Sequence, residues 1–350
     1  MAKAKHIAGI DCEGAPTTAI RVVLSARFEE LFALRDHALD WSDPEGVHDM
    51  RVSSRRLRGA LRDFRPYLPK HGLSVALKKI RDIADALGEV RDQDVAIMGL
   101  QKLEAGAPPE AAAMLHQLIR ARETIRRQAR KNLQQALHKG RLKQLQMDVE
   151  TAIDSATANP KPAKRRSKNA QPHAEDTYRE VARRTILKQL REVEKLSKGL
   201  YRPLKIEPLH RMRIAAKRFR YALELFEPCL GPDISIFAKK VGALQTSLGE
   251  LHDSDIWIET FGKNRNGVVQ QPKEQRGAAL WLLSHFVRLH SKHLRSALVT
   301  WSEWETNEFG TRLREYLTQN LPVAVLTEDI SAPDEQTCLT EVIPGAAQDH

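Results

Sequence analysis

Val47–Leu68 reads VHDMRVSSRRLRGALRDFRPYL, and Leu209–Leu230 reads LHRMRIAAKRFRYALELFEPCL. A shift of 162 places lays His48 on His210, Met50 on Met212, Arg51 on Arg213, Arg56 on Arg218, Arg58 on Arg220, Phe64 on Phe226 and Pro66 on Pro228, with no gap over 22 residues. A match at one fixed offset over this length reads as an internal duplication. Wound as a helix at about 100° per residue, the first copy gathers His48, Arg51, Arg55, Arg58 and Arg62 on one face and Met50, Leu57, Leu61 and Phe64 on the other. The second copy does the same with His210, Arg213, Lys217 and Arg220 against Met212, Phe219, Leu223 and Phe226, until Glu224 replaces Arg62 and closes the strip. Arg56 and Arg218 lie about 80° to the side and flank it. Solvated helix faces normally intersperse acids with bases, because like charges three or four places apart repel. A histidine and three cations stacked twice without an acid between them read instead as an anion-binding strip.

The same residues resemble the CHAD family, the conserved-histidine α-helical domain, through HDMRVSSRRLR at His48–Arg58 and HRMRIAAKRFR at His210–Arg220. A second pair follows, LGEVRDQDV at Leu87–Val95 and LGELHDSDI at Leu248–Ile256, aligned at offset 161, with His252 standing where the first copy has Arg91. The resemblance extends from about Pro16 to Trp301. It implies an all-α fold of two four-helix halves around a basic pore or groove. It also implies binding of inorganic polyphosphate and association with polyphosphate granules.

The charge distribution is compatible with a polyanionic partner. The chain of 350 residues carries +11 overall, but its last thirty residues hold six acids and no Lys or Arg, leaving +17 on the first 320. Such a field attracts polyphosphate, nucleic acid or an anionic surface. No apolar run approaches the roughly 18 residues that cross a bilayer, and Cys12, Cys229 and Cys338 suit neither a disulfide framework nor a metal site. The expectation is a cytoplasmic chain without cofactor or metal.

Periodicity and breaks divide the chain into a loose tail (1–15), a first four-helix half (16–140), a basic linker rich in Pro, Lys and Arg (154–176), a second four-helix half (177–301), a further helix (302–320) and a mobile acidic tail (321–350). Within the halves, Arg21 aligns with Arg183 and Lys79 with Lys240, while the fourth helices align Arg127 with Arg288 and Lys131 with Lys292. These residues are expected to extend the two strips into one basic lining if the halves pack about a pseudo-two-fold axis.

Arginine suits such a lining because its planar fork gives phosphate oxygens two hydrogen bonds. The paired carboxylates Asp92/Asp94 and Asp253/Asp255 sit two places apart, so each pair diverges by about 160° and is poorly made to chelate one ion. Their expected task is to hold arginines extended. No phosphate-binding Gly-rich loop, nucleophile elbow or zinc-protease motif occurs. The expectation is therefore a non-catalytic polyphosphate binder. A nucleic-acid backbone-binding module is the alternative, and a polyphosphate-processing enzyme is a third reading that the sequence supports least.

Overall fold

The computed structural model describes residues 7–68, 74–158, 177–263 and 273–319, and every regular element among them is helical. In chain order these are α1 (Pro16–Ala33), α2 (Arg35–Ala38), α3 (Pro44–Asp63), α4 (Ser74–Glu104), α5 (Pro109–Ala136), α6 (Lys139–Ala158), α7 (Tyr178–Leu196), α8 (Ile206–Leu230), α9 (Ile234–Lys263), α10 (Lys273–Thr306) and α11 (Phe309–Gln319). The acidic tail at 321–350 and most of the expected linker, 159–176, lie outside the described residues, and residues 154–158 finish α6.

The helix starts follow from local chemistry. The Asp43 carboxylate accepts from the Glu45 N–H at 2.9 Å, with Pro44 pre-set at the first helical position of α3. Gly46 lets α3 begin against α2, since a β-carbon there would come within 2.0 Å of the His37 carbonyl oxygen. Thr177 and Glu180 close a capping box at the start of α7.

Packing follows the same order in both halves. α1 packs on α3, α3 on α4 and α4 on α5; α7 packs on α8, α8 on α9 and α9 on α10. The two sets meet where the motif helices α3 and α8 touch and again where α5 touches α10. At the first junction Phe64 meets Phe226 edge-on at 6.1 Å, with Tyr178 of α7 at 6.0 and 5.5 Å from the two rings. All three rings are fully buried, each worth roughly 2–3 kcal/mol. A separate apolar cluster closes the second junction, where Ile97, Leu100, Leu115 and Ile119 pack with Phe261, Leu282 and Phe286. Trp257, Phe261 and Phe286 stack there at 5.4–6.0 Å.

Three features depart from the sequence reading. Helix α6 is an addition to the expected four-helix half and packs on α1 and α4 through Leu142, Leu145, Val149, Ala152 and Ile153. Helix α10 runs through Trp301 to Thr306, so the boundary drawn at 301 falls inside a helix. Residues 7–15 form no loose tail. Ile7 is buried, the Tyr178 and Arg179 amides donate to the Gly14 and Cys12 carbonyls, and a disulfide joins Cys12 to Cys229 at the end of α8. That bond removes the support that cysteine usage gave to a reducing compartment. No helix among the described residues is long and apolar enough to cross a membrane.

Candidate anion-binding site

The contact of α3 with α8 brings both strips to one place. Arg51 and Arg55 from α3 and Arg213 and Lys217 from α8 lie within electrostatic reach of one another, each half-buried. Helices α4 and α9 supply the acids and the remaining bases. Arg51 donates to Asp92 at 3.0 Å, and Asp253 faces Arg213 and Lys217. The cluster thus holds four cations from the motif helices against two carboxylates, an excess of positive charge kept partly out of water.

Its electrostatics record that excess. Burial, reinforced by Arg55, brings the Arg51 guanidinium down to about 10. Burial together with Arg213, Arg55 and Arg51 brings the Lys217 ammonium down to about 7. Burial raises the Asp253 carboxyl even though Arg213 and Lys217 oppose the shift. Beside the cluster, His210 and His252 face each other at 4.7 Å, and burial with Arg213 lowers His252 to about 4. His48, half-buried near Arg91, is lowered by burial and by that guanidinium. Two guanidinium donors here, Arg91 Nη1 and Arg213 Nε, and the His252 ring atom Nδ1 are buried and find no hydrogen-bond partner within the protein among the described residues. Buried polar groups are nearly always satisfied, so these atoms have unused hydrogen-bonding capacity.

The expected carboxylate divergence is present. Asp92 turns to Arg51, while the buried Asp94 turns to Arg126 at 3.3 Å and Arg130 at 4.0 Å on α5. Asp255 turns to His290 of α10 at 3.3 Å. Glu45, His48 and Asp49 bring ligand atoms within 4.8 Å of one another at the start of α3, with Arg91 at 3.8 Å from Glu45. Acids this exposed carry no metal assignment by themselves.

Other predicted site residues lie elsewhere. Arg56 and Arg220 are 8% and 6% exposed. Glu224 holds Arg220 at 3.1 Å and lies 3.8 Å from Arg56, which also faces Glu30 at 3.6 Å. Internal acids therefore occupy these two arginines inside the α3–α8 junction, and they line no accessible strip. Arg62 is bonded twice to Asp63, at 3.0 and 3.1 Å. Arg21 pairs with Asp154 at 2.6 Å and Lys79 with Asp148 at 2.8 Å, both acids on the unforeseen α6. Arg58 and Arg218 are exposed beyond the cluster, as is Lys240, and Arg183 is half-buried on α7. Arg127, Lys131, Arg288 and Lys292 are exposed, and among the described residues no ion pair ties them to the cluster. On α5 the inward residues are one place earlier. Arg122 bonds to Gln93 and lies over Trp257 at 5.2 Å, and Arg130 lies over Trp41 at 4.9 Å. The spacing of Arg122, Arg126 and Arg130 at four places is the sequence signal for this inner face, one place out of register with Arg127 and Lys131, which align with α10.

A CHAD domain family model matches residues 22–262, which spans both motif helices and the two acidic pairs. The chain belongs to the CHAD domain family. An uncharacterised protein of Mycobacterium tuberculosis is 27% identical over 246 residues, 69% of this chain but only 44% of that protein's length. The crystal structure of the CHAD domain from the plant Ricinus communis superimposes with a TM-score of 0.64 at 21% identity, covering 85% of this chain and 96% of that one. PptA from Streptomyces chartreusis follows at 0.56 and 14% identity, covering 83% and 100%. At these identities the solved CHAD domain and PptA speak to fold alone.

Proposed function

We propose that this chain binds inorganic polyphosphate, without catalysing its turnover, in a basic groove where the strips of α3 and α8 meet. The observation that carries the reading is the joint cluster of Arg51, Arg55, Arg213 and Lys217, with the buried donors Arg91 Nη1 and Arg213 Nε left over beside it among the described residues. Polyphosphate offers a negative charge at each internal phosphate, so a chain laid along both helices meets successive cations. Membership of the CHAD domain family, whose general association is with polyphosphate, supports the choice of polymer. The paired order of contacts in the two halves supports a pseudo-two-fold arrangement about the groove. Association with polyphosphate granules is the cellular counterpart of this proposal.

Binding of this kind displaces counterions and weakens steeply with salt. The test is competition: labelled long-chain polyphosphate is bound at two salt concentrations and challenged with excess RNA. Retention of polyphosphate supports the reading; equal displacement by RNA reduces the site to a general polyanion surface. Phosphate release from polyphosphate with added Mg²⁺ would overturn the non-catalytic part.

A further inference from the structure

Arg55 of the first half corresponds, at the 162-residue offset, to Lys217 of the second. Every other cation of the joint cluster is an arginine, which stays charged and is a poor nucleophile. Among the described residues, Lys217 is therefore the amine in a half-buried cluster of guanidinium groups. Arg213 stands one turn before it on α8, and Arg51 and Arg55 reach it from α3. A lysine crowded by cations and shielded from water gives up its proton readily, and such lysines are activated nucleophiles. The same arginines attract anions and hold a departing phosphate.

We propose that Lys217 is a site of acylation by acyl phosphates, small anionic donors that the surrounding arginines concentrate and orient. The amine lone pair attacks the acyl carbonyl carbon and forms the N–C bond. The tetrahedral adduct then collapses, breaking the carbonyl C–O bond to phosphate. Inorganic phosphate departs with the electron pair towards Arg51 and Arg213, and the amide nitrogen releases its proton to solvent. The product can no longer take up a proton, so acylation removes the charge that Lys217 would gain beside a bound polyanion and weakens polyanion binding. Lys217, brought to about 7, is largely uncharged at pH 7.5, whereas an ordinary exposed lysine has about one amine in a thousand free there. The inference rests on the anion-binding reading of this cluster, not on polyphosphate as its natural ligand.

The experiment treats the full chain with acetyl phosphate at pH 7.5 and follows acetylation of each lysine by peptide mass spectrometry. Lys217 is expected to react about tenfold or more faster than the exposed Lys240 and Lys292. That preference should shrink several-fold with p-nitrophenyl acetate, an uncharged donor, and with Arg213→Gln. Saturating polyphosphate should protect the site. No preference for Lys217 over the surface lysines, or an equal preference with both donors, overturns the proposal. Polyphosphate binding measured on the same untreated protein separates the two claims. Binding without preferential acetylation leaves the function standing and removes this inference, and the converse outcome removes polyphosphate as the ligand.

Discussion

Asp94 and Asp255 stand 161 places apart on α4 and α9, yet Arg126 and Arg130 meet the first while His290 meets the second. The same substitution recurs through the second half. His252 stands for Arg91 and Lys217 for Arg55, while Glu250 is met by His293 at 2.7 Å. Arginine keeps its charge at any physiological pH, whereas histidine and a crowded lysine do not. Lys217, brought to about 7, thus makes the second strip adjustable near neutral pH where the first strip carries an arginine at the matching position.

The largest effect should come from striking both halves at once. The double variant Arg51→Glu/Arg213→Glu is expected to lower polyphosphate affinity about 100-fold or more, since each charge-assisted contact is worth roughly 1.5–3 kcal/mol. Helicity by circular dichroism should not change; its loss would make the strip structural. A second contrast lies in the junction, where Glu224 of α8 corresponds to Arg62 of α3. Glu224→Ala removes the acid 3.1 Å from the buried Arg220 and should lower stability by about 3 kcal/mol in urea unfolding. Arg62→Ala, which strips one base from Asp63, should cost about 1 kcal/mol. Equal losses would erase the asymmetry.

Cys229 corresponds to Tyr67 in the first half, so the disulfide fastens the second motif helix, not the first, to the N-terminal segment. Cys12→Ser should cost about 2–4 kcal/mol, read as a lower urea midpoint than that of the oxidised parent.

The pH dependence tests the adjustable half directly. Lys217 has a folded value near 7, below its ordinary 10.5. The free protein is therefore penalised progressively as pH falls from about 10.5 to 7, while affinity for a polyanion rises over the same descent as the amine gains its proton. Between pH 8.5 and 6.5 the gain should be about fivefold to tenfold, and Lys217→Arg should flatten it. His252 charges only towards pH 4 and adds nothing in that window. The smallest effect belongs to the outer face of α5, where Arg127→Gln and Lys131→Gln should change affinity less than about twofold.

Much of this was legible in the chain. The charged and apolar faces of the motif helices and the divergence of Asp92 from Asp94 follow from a period of 3.6 residues. What escaped depends on packing partners that no single helix encodes. Arg56 and Arg58 stand two places apart in the chain, yet one enters the junction and the other faces water, because Glu30 and Glu224 arrive from α1 and α8. The Cys12–Cys229 bond joins residues 217 places apart, with no local signal at either end. Helix α6 did carry its signal in Leu142, Leu145, Val149 and Ile153, at spacings of three and four.

The central claim is that the strips of α3 and α8 serve one bound chain rather than two separate surfaces. Titration of long-chain polyphosphate into the parent, Arg51→Glu, Arg213→Glu and the double variant tests it most directly. Either single reversal should remove most of the affinity, and the second should add less than its own separate effect, the mark of residues acting on one ligand. Full affinity in either single variant, or strictly additive losses, would contradict it.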